Sequence, residues 1–489
     1  MAESAEGKHR TAASRSQRAG SKARGRRRPR TAESFHLTDD GEHAPLHEKI
    51  YRRIRDLILS GTFKNGSRLA SSRRLAELLG ISRNSVVTAI DRLRADGLLE
   101  ARQGSGIFIS YSGVIRAADS QSSNRTEDMI PFALGAPPVD IFPVQLWKRL
   151  QTRRWQALSS ESLHEGDTTG WVGLREAISS HVAMSRGFEC SPDDIVVTTC
   201  VSSAIDLAVR TLKLKGTEAW IENPGYAIAG QALQNAGLNI VPARVDEFGI
   251  DVEDGIHTAR GAKAAFVTPA CQFPTTVVLT ETRRQALLQW AENAGSWIFE
   301  DDFDWYNSTQ IIAPRPLAAA NRARTIYINS LNHVLFPALR IAYMIVPPGL
   351  IDRFAATQKG LVGGGNVPNQ MVMADFITGG HLDEHIKNLR SSNIDRRRTL
   401  EHAIDARLSE FLSPATNKAG SHLICPVRRL SVEEIKEKCV TASVRVDSLA
   451  RYCFEQIESD CLLLGFSGYT VDALIEACEK LRNALAGES

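Results

Sequence analysis

Six short apolar runs between residues 193 and 331, each closed by small or polar residues, constrain this 489-residue chain more than any other feature. They read "DDIVVTTC", "EAWIENPGY", "LNIVPARV", "AAFVTPA", "WIFEDDFDW" and "TIYINSL". Runs this short and this rich in Val, Ile, Phe and Trp suit strands buried on both faces. Amphipathic segments alternate with them: "SSAIDLAVRTLKL" follows the first, and "TRRQALLQWAENAG", stopped by Gly295, precedes the fifth. Strands alternating with helices predict a parallel-rich, doubly wound α/β sheet. Ligands in such sheets sit at the carboxyl ends of the strands. "CVSS", "NPGY", "EDDFD" and "NSLNH" all fall at such ends, so they are expected to converge on one pocket.

Upstream the period is helical. "LHEKIYRRIRDLILSGTF" places Leu46, Ile50, Ile54, Leu57 and Ile58 on one face. In "ASSRRLAELLG", Ser71 or Ser72 caps a second helix with Leu75, Leu78 and Leu79 facing inward, and Gly80 ends it. After Ile81, Ser82 caps a third helix, "SRNSVVTAIDRLRADG", with Val86, Ile90 and Leu93 inward and Gly97 as its stop. "LLEARQGSGIFIS" reads as two strands around a Gly-rich turn. Three helices, a tight turn and a hairpin make an α+β winged helix-turn-helix over residues 44–110. Ser82, Arg83, Asn84 and Ser85 open the third helix, where the dipole favours phosphate and side chains reach base edges in the major groove. Arginine and asparagine suit guanine and adenine. Ser72 and Arg73 open the preceding helix, on the path of the phosphates, and Arg102, Gln103, Gly104 and Ser105 form a wing tip small and basic enough for a minor groove. DNA is therefore the expected partner.

The net charge of +3 is unevenly spread: residues 1–34 hold ten Lys/Arg against three Glu, leaving −4 for the rest. "SKARGRRRPR" lacks core-forming residues, so residues 1–43 are expected to be a disordered basic tail, lying against nucleic acid or simply solvated. Residues 111–130, rich in Ser, Asp and Asn, are expected to be a flexible linker, and 131–489 the large domain. No apolar run is long enough to span a bilayer, and the N-terminus has no apolar h-region, so a cytoplasmic protein without membrane contact is expected. Eight scattered cysteines without metal spacing imply reduced thiols and no metal site.

The segment Leu69–Ile109 resembles the GntR family of bacterial regulators, departing from the subfamily's usual proline at Ala70. From about Pro131 onward, "RGFECSPDDIVVTTCVSSAIDLAVRTL", "ENPGYAIAGQALQNAGLNIVPARVDEFGI", "VTPACQFPTTVVLTETRRQALLQWAENAGSWIFEDDFD" and "YINSLNHVLFPALRIAYMIVP" resemble fold-type I, aspartate-aminotransferase-like enzymes. Together they resemble the MocR/GabR subfamily, a winged helix-turn-helix followed by a large α/β fold-type I aminotransferase-like domain. The resemblance implies a homodimer reading paired half-sites, a small-molecule effector and the cofactor pyridoxal 5'-phosphate.

That cofactor needs a lysine amine, because only a primary amine condenses with the aldehyde. In the family's pattern the lysine falls at His333, so covalent attachment is expected to be absent. Asp301 matches the carboxylate that holds the pyridine nitrogen, and Phe303 replaces a tyrosine that bonds the ring hydroxyl. Arg340 and Ser330 match phosphate ligands, and Ser202 and Ser203 sit where helix amides receive an anion. Tyr226 is kept beside the ligand ring. Against these, Cys200 and Thr276 replace glycines, Glu165 replaces a phosphate-binding tyrosine, and Leu463 stands where aminotransferases place the arginine for the substrate carboxylate. The pocket set is thus Ser202, Tyr226, Asp301, Ser330, His333 and Arg340, with no catalytic residue expected. Three functions compete: a regulator with a degenerate sensing domain, controlling an amine, amino-acid-like or rhizopine-type catabolic or uptake operon; a pyridoxal phosphate-dependent aminotransferase with a DNA-binding appendage; and a DNA-binding protein with a ligand-free scaffold. His333 favours the first.

Overall fold

The computed structural model describes residues 45–487 except 60, 61, 64, 103, 104, 111–130, 161–163, 165, 308–312, 362 and 456–458. The expectations for the basic tail, the linker, Gln103, Gly104 and Glu165 lie outside the described residues. The chain divides into two compact units, Met1–Gln121 and Ser122–Ser489.

In the first unit, α1 (Leu46–Leu59), α2 (Ser72–Leu79) and α3 (Arg83–Ala95) precede a hairpin of β1 (Leu99–Arg102) and β2 (Gly106–Ile109). The strands are antiparallel, with Leu99 opposite Ile109 and Arg102 opposite Gly106. Ile50, Ile54, Val86, Ile90, Leu93, Leu99 and Ile109 form the core. Ser71, not Ser72, caps α2, accepting the Arg74 amide at 3.3 Å, and Gly80 at φ +65° turns the chain toward α3. One expectation fails here: Leu78 is exposed and Leu79 half-buried. Ala76 takes the inward position beside Leu75, so the packed face is rotated away from Leu78.

The second unit is built on an eight-stranded sheet of β3 (Ile195–Thr198), β4 (Glu218–Asn223), β5 (Asn239–Asp246), β6 (Gly249–Ile250), β7 (Ala264–Val267), β8 (Trp297–Asp301), β9 (Thr325–Ser330) and β10 (Ala342–Ile345). Their order is β3-β10-β9-β8-β7-β4-β5-β6. The five strands from β9 to β5 in that order are parallel, whereas β10 runs antiparallel to both β3 and β9. Both faces are covered. Ala219 and Ile221 pack with α4 (Val201–Leu212) and α5 (Ala227–Asn235), while Trp220 turns to the other side and stacks on Trp290 of α6 (Glu281–Ala294), ring centroids 3.9 Å apart. This double burial is why the strands read as continuous apolar runs.

A smaller antiparallel layer, β11 (His422–Pro426), β13 (Cys461–Gly465) and β12 (Asp447–Ser448) between them in sequence, packs against the C-terminal helices through Leu400, Leu423, Leu462, Leu474 and Leu481. Phe132 bridges to Gly465, which brings Leu134 and Gly135 to the mouth of the cavity described below. Among the described residues no helix is long and apolar enough to cross a membrane.

Candidate nucleic-acid interface and ligand cavity

At the start of α3, the Ser82 hydroxyl accepts the Ser85 amide at 3.2 Å and lies 3.0 Å from the Ser85 hydroxyl. The two serines thus hold the helix end and are partly spent on it. Arg83 and Asn84 are exposed, and among the described residues no ion pair or hydrogen bond engages either side-chain head. They are the two groups of this end free to meet a nucleic acid. Ser72 is half-buried, and Arg73 is exposed, 3.6 Å from Glu77 in the next helical turn. In the wing, Arg102 donates to Glu100 at 2.8 Å and lies 4.6 Å over the Phe108 ring, while the Ser105 amide closes the turn onto the Arg102 carbonyl. The sequence reading passed over Arg68. It is exposed and bridges to Phe108, and its guanidinium lies so close to Gly106 that a Cβ there would meet Nε at 2.8 Å. The available signal was Gly106 itself, a glycine within a strand run, which often marks close approach of another group.

In the second unit the carboxyl ends of β4, β7, β8 and β9 surround a cavity of about 280 Å³. Tyr226, Asp301, Phe303 and His333 line it, and a narrow crevice joins Ser330 to Asp301 and His333. Four of the six expected residues therefore come together. Arg340 does not. With Ser203 it lines a second cavity of about 370 Å³, and its Nη2 sits 3.9 Å from the Cys200 Sγ. Ser202 is half-buried and lines neither cavity. The expected single pocket is thus two cavities. The Cys200 thiol is a weak acceptor for the Arg340 guanidinium on that side. Ser203 is also spent: its hydroxyl accepts the amides of Thr199 at 3.2 Å and Cys200 at 3.1 Å and donates to the Cys200 carbonyl at 2.8 Å.

The inner end of the first cavity is acidic. Asp302 is neutralised by Arg186 through bonds of 2.6 and 2.9 Å and accepts the Tyr327 hydroxyl at 2.7 Å. Glu222 accepts the Thr268 hydroxyl at 2.6 Å and the Gln272 amide at 3.2 Å, and burial pushes its carboxyl up to about 7. Glu300 accepts the amides of Leu317 and Ala318 at 2.6 and 2.9 Å, and burial likewise pushes it up to about 7. Asp301 is buried, and its carboxyl accepts no hydrogen bond among the described residues. Burial first, then Asp302, Glu222 and Glu300, push it up to about 8.

The walls are aromatic. Phe273 meets Tyr226, Phe303 and Tyr452 edge to face at centroid distances of 5.7, 5.9 and 5.2 Å. Phe303 meets His333 in the same way at 5.3 Å, and loss of solvent lowers the imidazole pKa, keeping it neutral. The mouth carries Arg451 and Tyr452, which the sequence reading missed. Arg451 pairs with Asp447, which also accepts the Tyr452 hydroxyl at 3.2 Å. Leu463 is fully buried on β13, opposite Ile424. The signal for Arg451 was the charge pair in "VDSLARY", whose Asp447 lies in β12 and whose Arg451 follows it in a short turn.

Residues 46–109 match the bacterial regulatory proteins of the GntR family, and residues 127–481 match aminotransferase class I and II. The chain is 32% identical, over 93% of its length and 96% of the relative's, to the probable rhizopine catabolism regulatory protein MocR of Rhizobium meliloti. It is 25% identical, over 91% and 97%, to the pyridoxine biosynthesis transcriptional regulator PdxR of Corynebacterium glutamicum. The fold resembles that of LysN, an α-aminoadipate aminotransferase from Thermus thermophilus complexed with N-(5'-phosphopyridoxyl)-L-leucine (TM-score 0.66, 21% identity, 75% of this chain and 95% of that one). It also resembles Pyrococcus horikoshii kynurenine aminotransferase (TM-score 0.66, 22% identity, 77% and 97%). Fold and site define a DNA-binding transcription regulator with an aminotransferase-like unit. The chain belongs to the MocR-type branch of the GntR family.

Membership in the aminotransferase class implies a pyridoxal phosphate-type site in this unit. The buried, unpartnered Asp301 and the aromatic walls fit the ring of that group. The remainder does not fit: among the described residues no lysine lines the cavity, Arg340 and Ser203 line the other cavity, and the Ser203 hydroxyl donates to the Cys200 carbonyl.

Proposed function

We propose that the protein is a cytoplasmic, homodimeric regulator that senses a small amine- or amino-acid-like molecule and does not catalyse transamination. Asp301, Tyr226, Phe303 and His333 form the sensing cavity, and Ser330 stands at its crevice. One observation supports the reading most: His333 lines the cavity, at the position where the family resemblance implies the lysine, and an imidazole cannot form the imine that a primary amine forms. Arg83 and Asn84 read base edges, Ser72, Ser82, Ser85 and Arg73 hold phosphates, and the wing from Arg102 to Ser105 enters a minor groove. A dimer then engages paired half-sites, and a ligand that binds one of its conformations better shifts the population that fits the operator. The relative named for rhizopine catabolism supports an operon for catabolism or uptake of a small nitrogen compound.

Two measurements test this. Selection of genomic fragments on the full-length protein should return paired half-sites beside genes for such a pathway; unselective retention would overturn the assignment. Incubation with pyridoxal phosphate should yield no borohydride-reducible adduct, and a stable adduct mapped to a lysine would restore the enzyme reading.

A further inference from the structure

We infer that the cavity binds a zwitterionic amino acid directly, without a coenzyme, its ammonium end inward at Asp301 and its carboxylate outward on Arg451. The inference rests on the reading of this cavity as the sensing site and adds the ligand's class and orientation.

The inner end asks for a cation. Four carboxyl groups gather there, and three are satisfied: Asp302 by Arg186 and Tyr327, Glu222 by Thr268 and Gln272, and Glu300 by two backbone amides. Asp301 alone has no donor among the described residues; in the empty cavity it keeps its proton, and an arriving ammonium group takes the place of that proton, which leaves to solvent. Tyr226, Phe273, Phe303 and Tyr452 line the space, and an ammonium group is attracted to the face of such a ring. His333 is neutral and does not repel it.

The outer end asks for an anion. Arg451 lines the cavity with a side chain 55% exposed, and its recorded bond to Asp447 uses Nη1. A guanidinium has five donors in a fixed fork, so its other edge remains for a carboxylate. The arginine position lost at Leu463 is thereby replaced by a cation from a different turn of the same layer.

The cavity has room for a free amino acid. Its volume is about 280 Å³, at the lower edge of sites for drug-sized ligands, which run from roughly 300 Å³ upward. Arg340, the phosphate ligand that the family resemblance implies, lines the other cavity.

The test is calorimetry on the full-length protein, without pyridoxal phosphate. The probes are a panel of α- and ω-amino acids, each with its decarboxylated amine and its deaminated acid. At least one amino acid should bind more tightly than both of its fragments. Arg451→Gln should weaken that amino acid roughly ten- to hundredfold, the cost of a charged hydrogen bond, while the matching amine changes by less than about twofold. Asp301→Asn, which is nearly isosteric, should weaken both. Binding only after pyridoxal phosphate is added, or undiminished binding by Arg451→Gln, would overturn the inference. DNA affinity measured in parallel separates the two readings. If a non-zwitterionic compound changes operator affinity and Asp301→Asn abolishes the change, the sensing cavity stands and the ligand class falls. If neither the panel nor the fragments alter operator affinity, and cavity variants regulate normally in cells, both fall.

Discussion

The sharpest prediction concerns the first turn of α3. Arg83 and Asn84 are exposed there and make no side-chain hydrogen bond or ion pair among the described residues, so alanine at either position removes no polar contact from the fold. Surface changes of that kind stay within about 0.5 kcal/mol of stability. Loss of a bidentate base contact costs about 1–3 kcal/mol per site, which is roughly five- to 150-fold in affinity. A dimer loses the contact twice, giving about 2–6 kcal/mol when both half-sites are engaged. Arg102 provides the internal contrast. It is already held by Glu100 and Phe108 and must break or share those contacts to reach DNA, so Arg102→Ala should cost less than Arg83→Ala. Fluorescence anisotropy with a selected operator at several salt concentrations reads both effects, with thermal unfolding as the control. Loss at a base contact should discriminate among operator variants, whereas loss of a phosphate contact lowers the salt slope by about 0.9 per site. If Arg83→Ala and Asn84→Ala both bind within twofold of the parent, or lose affinity only because they unfold, the assignment of α3 as the reading helix is refuted.

Arg186→Met strands the buried Asp302 carboxylate and should destabilise the large unit by about 3–5 kcal/mol, visible as an earlier thermal transition; an unchanged transition would contradict the pairing. Asp301 sits at about 8 in the folded chain against 3.8 ordinarily, so between those values the folded state keeps a proton that the unfolded chain has lost. Stability must then fall as pH rises through that window. Asp301→Asn lacks this loss, so its stability relative to the parent should climb from about pH 4 to about pH 8 and then level off; parallel melting curves would sink the claim. His333→Lys alone should form a borohydride-reducible adduct with pyridoxal phosphate only weakly, and adding Cys200→Gly should strengthen it by releasing Arg340. Equal adduct yields in the two variants would show that Cys200 does not govern the anion site.

Much of the fold was legible because its signals are local. Strands buried on both faces leave uninterrupted apolar runs, and Ser82, Gly80 and Gly295 mark helix ends with their own chemistry. The antiparallel strand β10 was not legible as such, because a buried run of four residues carries no sign of its direction. Leu78 was misread because helical spacing does not say which of two adjacent stripes meets a neighbour, and the small Ala76 made the closer packing. In the site, the family resemblance singled out Tyr226, Asp301, Ser330 and His333, and the rule that strand ends converge brought their three segments together, though not "CVSS". The division into two cavities was not legible, because it depends on which way the Arg340 side chain turns. Arg451 reaches the cavity from a separate layer, and strand-end reasoning on the main sheet has no access to such a residue.

A histidine at position 333, where the family resemblance implies a lysine, bears on more than the capacity for covalent chemistry. A lysine in this cavity would give the carboxyl cluster an internal cation, and with Arg186 already committed to Asp302, that cation would serve Asp301. A need met permanently by the protein itself cannot be used to detect anything, because a ligand shifts an equilibrium only by its differential affinity for two states. With His333 in that place the protein supplies no permanent cation, so Asp301 keeps its proton in the empty cavity and gives it up to solvent when an ammonium group arrives. The same Glu222, Glu300 and Asp302 that make an ionised Asp301 unfavourable in the empty cavity make an arriving ammonium group favourable, since each carboxylate repels one charge and attracts the other. Loss of the reactive amine thus increases the electrostatic difference between free and ligand-bound states, and a switch attached to a DNA-reading head depends on that difference.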